Sequence, residues 1–270
     1  MHTTASDGRC APAELVSRAA AAGLTTIAVT DHDTVGGCRE AEAACAASGL
    51  TFVPGIEITA IRLGGDVHVL GYFIDVRSPA LLTFLTEQRA QRVDRVREMV
   101  TRLRSHGVTL DADAILAPGL ADPAMAVGRP WIARALVAEG YVTSTSEAFD
   151  KWLSRGRPAF VPRAGAPPGD VFRHIHDAGG LASLAHPGLL AHDDWIPEFV
   201  AAGLDAVEAY HSEHDTLMTA TYLSMAKRLR LGITGGSDYH ADESHGAARL
   251  GFVALPREDF DHLQRLRRPV

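Results

Sequence analysis

The chain has 270 residues, 46% of them hydrophobic and 22% charged, which excludes a disordered or fibrous class and leaves ample length for a buried core. Lys and Arg total 26 against 33 Asp and Glu, a formal charge of -7, so a protein that coats nucleic acid or anionic lipid is excluded, while a small anion held through cations is not. Cys10, Cys38 and Cys45 form no C-x-x-C pair, the first residues carry no basic flank or apolar run, and no stretch is long enough to span a bilayer, so the expectation is a cytoplasmic protein with small buried thiols and no membrane partner.

Taken in chain order, Leu15, Val16, Ala19, Ala20 and Ala22 predict a helix that closes on Gly23, and Thr25 to Thr30 is a β-branched strand. A second helix from about Gly37 to Ser48 stops at Gly49 and precedes a strand from Leu50 to Val53 that ends at Pro54-Gly55. Val67 to Phe73 is a further strand. Later come helix Pro168 to Ala178 with strand Leu181 to Ala185, helix Asp193 to Ala202 with strand Asp205 to Ala209, and helix Thr216 to Arg230 with strand Gly232 to Thr234. This alternation implies parallel strands joined by crossover helices and a closed or nearly closed barrel. The intervening region, about 79–158, reads as a helical insertion into a single domain spanning 1–270, with a charged amphipathic helix from Leu81 to His106.

Nearly every predicted strand ends in His or a carboxylate: Asp31-His32-Asp33, Glu57, His68, His186, His211 and Ser237-Asp238-Tyr239-His240. Carboxyl ends of parallel strands converge on one face, so these residues are expected to meet in one concave site. Imidazole and carboxylate without thiolate suit Zn²⁺, Mn²⁺ or Fe. So many donors imply two or three divalent ions bridged by Glu57 or Asp238, which activate a shared hydroxide and clamp a phosphoryl group.

The order of these residues resembles the polymerase and histidinol phosphatase (PHP) family. His2-Thr3-Thr4-Ala5-Ser6-Asp7-Gly8 is similar to its first motif, Thr30-Asp31-His32 with Gly55-Ile56-Glu57 and His68 to its second, His186-Pro187 to its third, and Gly236-Ser237-Asp238-Tyr239-His240 to its fourth. The resemblance implies an α/β distorted (β/α)7 barrel and metal ligation by His2, Asp7, His32, Glu57, His68, His186, Asp238 and His240, with Mn²⁺ placed before Fe and Zn²⁺. Further likeness, through Gly128-Arg129-Pro130 and Gly156-Arg157-Pro158 among other segments, is to small bacterial phosphoesterases acting on nucleoside 3′,5′-bisphosphates and the 5′ ends of short RNA. The implied activity is hydrolysis of the 5′-phosphate of such a nucleotide or short RNA, with no stable nucleic-acid partner. Arg129 and Arg157 are the expected phosphate forks. His211 and Asp7 are the expected catalytic residues, His211 as ligand, proton donor or phosphate contact.

In the family's first motif two histidines flank one residue, and Met1 stands at that middle position, so the expectation is a chain without one His ligand and the first strand. His106, His174, His176, His192, His245 and His262 match no motif and are expected at the surface or behind the ligands, with His214 open. Asp33 is expected to cap the following helix, and the charged run Glu87 to Arg104 to be a solvated helix face. Rival readings are a histidinol-phosphate phosphatase and a non-catalytic metal-binding or interaction protein.

Overall fold

A proline opens α1 (Pro12–Ala21), where its missing N–H has no helical partner to lose. Gly23, at φ 81°, then turns the chain into β1 (Thr26–Val29). The same device recurs at Gly49, φ 71°, between α2 (Cys38–Ser48) and β2 (Thr51–Arg62). β1 and β2 pair in parallel, from Thr26 with Thr51 to Val29 with Pro54. The computed structural model describes residues 1–241 and 250–267, so His245 lies outside the described residues.

Beyond Pro54-Gly55, where the sequence predicts its end, β2 runs on to Arg62 and pairs antiparallel with β3 (Gly65–Tyr72). Pro54 falls where pairing to β1 stops and pairing to β3 starts, a position that makes little demand on the absent N–H. Leu63 and Gly64, at φ 50° and 72°, close the hairpin in two residues, the positive-φ geometry that matches strand twist. β3 also pairs antiparallel with β4 (Leu181–Leu184), after which β4, β5 (Ala206–His211) and β6 (Gly232–Gly236) run parallel.

Where a distorted (β/α)7 barrel without its first strand is expected, the described residues form a curled half-barrel of six strands in chain order. The correction is confined to β3, which runs antiparallel to both neighbours rather than parallel. A two-residue turn cannot make a parallel crossover, so the Leu63-Gly64 hairpin reverses β3 against its neighbour. Between the edges β1 and β6 lies a cavity of about 320 Å³, lined by Ile27, Val53, Leu70 and Leu263 and reaching Glu57 and His186.

Between β3 and β4 come α3 (Pro79–Ser105), α4 (Ala112–Ala121), α5 (Arg129–Ala138) and the short α6 (Thr145–Ala148) with a π-turn over Phe149–Leu153. They enclose an apolar cluster of their own, including Met99, Leu103, Leu116, Ile132 and Leu136. α7 (Pro168–Asp177), α8 (Pro187–Leu190), α9 (Ile196–Ala201), α10 (Thr216–Leu229) and α11 (Arg257–Arg265) complete the described helices. The three cysteines are buried, as their apolar use predicts.

The main core joins the sheet to α7 and α9 through Phe172 and Phe199, both buried, with rings 6.0 Å apart and edge to face at 78°. Replacing Phe172 with Ala removes this contact and leaves a void, so unfolding in urea is expected to show a loss of about 3–5 kcal/mol. A loss below about 1 kcal/mol would mean that the sheet and α7 do not share a tightly packed core.

Candidate metal centre

The N-terminal residues are tied into the sheet by backbone and by a buried carboxylate. Thr30 N donates to Met1 O and His2 N to Tyr239 O, both at 2.9 Å. Asp31 accepts from Thr3 N at 2.7 Å and from the Thr3 and Ser6 hydroxyls at 2.6 Å. Trp131 Nε1 donates to Ser6 O at 3.1 Å, and an Arg134 guanidinium N–H to Asp7 O, so α5 holds the same loop from the other side. Asp31 is thus a positioning residue for His2 and Asp7.

At the middle of the cluster stands Glu57, 2% exposed. Its Oε1 lies 2.6 Å from His68 Nδ1 and 3.4 Å from His186 Nε2, while Oε2 lies 3.1 Å from His2 Nε2 and 3.9 Å from His32 Nδ1. Each oxygen faces a different pair of histidines, the arrangement of a bridging carboxylate. Asp238 Oδ1 is 3.0 Å from His2 Nε2. Asp7 lies 3.6, 3.7 and 3.3 Å from His2, His32 and His240, and His240 stacks on His2 with ring centres 4.0 Å apart.

Three overlapping groups emerge whose donor atoms lie within 4.8 Å of one another: His2, Asp7, His32 and His240; His32, Glu57 and His68; and His2, Glu57 and Asp238. Despite the short separations, buried His2 Nδ1 and Nε2, His32 Nδ1 and His68 Nδ1 make no hydrogen bond. Buried imidazole nitrogens and carboxylate oxygens that crowd common points without hydrogen-bond alignment need positive charge among them, as protons on the rings or as cations. The donor set of nitrogen and oxygen, with no sulfur, fits Mn²⁺, Fe²⁺ or Zn²⁺.

Backbone strain marks the same place. Asp33, His186 and Asp238 adopt φ of 51°, 27° and 49°, a region non-glycine residues leave unless held there. His186 is held by Glu208, a buried carboxylate the sequence reading overlooked, whose Oε2 accepts its N–H at 2.8 Å. Burial raises the Glu208 pKa to about 7. Its signal in the sequence was a lone acid inside the apolar strand Val207-Glu208-Ala209.

Burial lowers the His2 pKa, but Asp238 and Glu57 outweigh it and bring the value to about 10. The same opposition, with Glu57, brings His186 to about 9, whereas burial prevails at His32 and takes it to about 3. Burial also opposes the ionisation of Asp7, Glu57 and Asp238, yet the surrounding histidines hold all three well below the usual carboxylate range.

His211 ends β5, 3% exposed, with its ring 5.5 Å from that of His186. Its Nδ1 accepts the Glu213 backbone N–H at 3.1 Å, and Nε2 has no hydrogen-bond partner. A backbone N–H can only donate, so neutral His211 carries its proton on Nε2, and burial pulls its pKa down to about 4.

Asp33 does not cap α2, which starts after Gly37 without a side-chain cap. Fully buried, Asp33 instead accepts from Thr59 N at 3.0 Å, from Arg92 Nε at 2.6 Å and from Arg163. The run Glu87 to Arg104 is correspondingly not all solvated, because Arg89, Arg92 and Arg95, spaced every three residues, turn inward. That spacing was legible and was passed over, as was Arg163.

Arg129 pairs with Asp66 at 3.3 Å, two residues along β3 from His68. Arg157 stands exposed on the turn after the π-turn, where its backbone N–H donates to Ser154 O at 3.0 Å, and it makes no ion pair with the cluster among the described residues. Of the remaining histidines, His214 bonds Ala209 O and Gly188 N, His176 pairs with Asp205, His174 stacks on Phe84, His192 stacks on Trp195, and His106 and His262 are exposed.

Residues 1–116 match the PHP domain family. Over 250 residues the chain is 34% identical to a 3′,5′-nucleoside bisphosphate phosphatase of Chromobacterium violaceum, covering 91% of this chain and 87% of that one. Over 246 residues it is 35% identical to a 5′-3′ exoribonuclease of Haemophilus influenzae, with 88% of each covered. A candidate metal-dependent phosphoesterase from Bifidobacterium adolescentis superposes with a TM-score of 0.90 at 30% identity, over 100% of this chain and 95% of that one. An amidohydrolase from Chromobacterium violaceum, solved with bound sulfate and no metal, gives 0.86 at 32% identity, over 98% and 95%.

Metal ligation needs neutral imidazole, whereas His2 and His186 hold protons near neutral pH in the metal-free protein. Loading with Mn²⁺ is therefore expected to release protons, and affinity to rise with pH until both rings are neutral. Calorimetric titrations in two buffers of different ionisation enthalpy should give different heats; equal heats would contradict this charge state.

Proposed function

The chain belongs to the PHP domain family of metal-dependent phosphoesterases, and on that footing we propose that it hydrolyses a phosphate ester of nucleoside 3′,5′-bisphosphates or of short 5′-phosphorylated oligoribonucleotides. The observation that carries this reading is Glu57, whose two oxygens each face a different pair of histidines inside overlapping donor groups. Its substrate class is supported by relatives named for a nucleoside bisphosphate and for RNA, each similar over most of its length.

In this reading His2, Asp7, His32, Glu57, His68, His186, Asp238 and His240 hold two or three divalent ions. Such ions supply Lewis-acid charge to phosphoryl oxygens and make water acidic enough to act as nucleophile near neutral pH. Asp31 fixes the loop that presents His2 and Asp7, and Glu208 fixes His186 in its strained conformation. With its proton on Nε2, His211 donates a hydrogen bond to a phosphoryl or leaving oxygen; a ring neutral near pH 7 is suited to donating a hydrogen bond rather than a proton.

Adenosine 3′,5′-bisphosphate with Mn²⁺ is expected to release inorganic phosphate, and a chelator to abolish the reaction. Chromatography of the nucleoside product, adenosine 3′-phosphate or adenosine 5′-phosphate, identifies the ester that is cut. Turnover of histidinol phosphate but not of the bisphosphate would sink the nucleotide reading.

His211→Gln keeps an amide N–H where Nε2 stands, whereas His211→Asn keeps one only near Nδ1. The loss in kcat is expected to be larger for the Asn variant, by about 10- to 100-fold, the worth of a hydrogen bond to a charged group. Equal losses, with disappearance of a basic limb in the pH profile, would make His211 a general acid instead.

A further inference from the structure

We propose that His214 is a positioning residue of the cluster: a neutral imidazole, protonated on Nδ1, that ties β5 to the turn carrying His186 and so fixes the spacing of His186 and His211. It rests on the metal-centre reading only where Mn²⁺ is used to test it.

The chain enters α8 through His186-Pro187-Gly188, and the N-cap residue is His186 itself, at φ 27°. A cap residue ordinarily lends its side chain to the first free N–H groups of its helix. The His186 ring is instead turned toward Glu57, with Nε2 3.4 Å from Oε1, and makes no cap. Pro187 has no N–H, so Gly188 carries the first one that needs an acceptor. His214 supplies it. Gly188 N donates to His214 Nε2 at 3.2 Å, while His214 Nδ1 stands 3.0 Å from Ala209 O in β5. An amide N–H can only donate and a carbonyl can only accept, which puts the His214 proton on Nδ1 and leaves Nε2 bare. Burial favours this neutral ring by lowering its pKa. With Glu208 on the His186 N–H, both donors of the turn go to side chains carried by β5 and the turn after it.

His211 belongs to that same turn. His214 N donates to His211 O at 3.1 Å, and His211 Nδ1 accepts from Glu213 N at 3.1 Å. One turn thus holds two imidazoles as opposite tautomers, His211 protonated on Nε2 and His214 on Nδ1. Ring centres lie 5.5 Å apart for His186 and His211, and 5.3 Å apart for His211 and His214. Buried Tyr222 backs His214 at 5.1 Å and donates its hydroxyl to Asp193 at 3.0 Å. The fit at Gly188 is tight, because a Cβ there would stand 2.9 Å from the His214 ring and closer still to Met218 Cε. A ring held on three sides can transmit the position of β5 to the turn of His186.

His214→Gln keeps an amide oxygen near Nε2 for Gly188, whereas His214→Asn keeps an amide N–H near Nδ1 for Ala209 and leaves Gly188 unpaired. Nitrogen NMR of the metal-free wild type should find His214 protonated on Nδ1 and His211 on Nε2. The ring resonances of His186 should move in the Asn variant and stay in place in the Gln variant. Calorimetric titration of the full chain with Mn²⁺ should show affinity about 10- to 100-fold weaker in the Asn variant, the cost of losing a group that orients a ligand, and near that of wild type in the Gln variant. A proton on His214 Nε2 overturns the proposal, as does a Gln variant that loses as much affinity as the Asn variant. If the Asn variant does not fold, the Gln variant decides, and a loss there of about tenfold or more is the overturning result. If the wild type binds no Mn²⁺, the metal reading falls, and the metal-free spectra alone decide the role of His214.

Discussion

A carboxylate buried among imidazoles is the constraint on which this molecule depends. Glu57 is 2% exposed and its near neighbours are His2, His32, His68 and His186. A buried carboxylate needs positive charge close by, and neutral imidazoles do not supply it. In the metal-free protein the charge comes from protons on His2 and His186, which explains why those rings titrate upward while His32, between them in the same cluster, stays neutral. Cations that displace those protons serve the same electrostatic need. Cation binding at this face is therefore coupled to the release of those protons.

The surrounding structure keeps two fields of opposite sign apart at close range. On one side of β3, acids and histidines converge; beside it, arginines from α3, α5 and the segment before α7 converge. Asp33 stands between them, next in sequence to His32 and bonded to Arg92 and Arg163. Its ionised state is secure, because the guanidiniums overcome the cost of burial and hold it far below the usual carboxylate range. Without that partition the arginines would be drawn to Asp7, Glu57 and Asp238 and would compete with cations for them. A chain of net charge -7 in this way still keeps a local cluster of guanidiniums beside its acids.

Much of the site was legible because its residues sit at strand ends. A strand ending in Asp31-His32 or Tyr210-His211 announces itself by polar residues that follow an apolar run, and the spatial convergence of those ends follows from the fold class. Hairpin β2–β3 was less visible, since Pro54-Gly55 reads as a stop and only the pairing partners on each side explain why the strand continues. Inward arginines were hidden for a different reason. Helical periodicity is read from apolar residues, so a helix face buried against carboxylates looks like a face buried against water. Arg92 and Arg95 differ from Arg97 and Arg104 only in what stands opposite them, and that lies in β2, β3 and residues 159–163, far away in sequence. Glu208 was missed by the converse error, an acid taken for part of an apolar strand.

Strain connects these observations. Positive φ at Asp33, His186 and Asp238 costs on the order of 1–3 kcal/mol at each residue, and each is over-determined by a separate set of contacts. Arg92, Arg163 and Thr59 hold Asp33; Glu208 holds the His186 N–H; His2 faces Asp238, whose carbonyl is 2.7 Å from His240 Nδ1. Because the supports are independent, the three turns need not relax together when one is weakened. The support at Asp33 is made by Arg92 from α3 and Arg163 from the segment before α7, so the turn that carries His32 is held from outside the sheet.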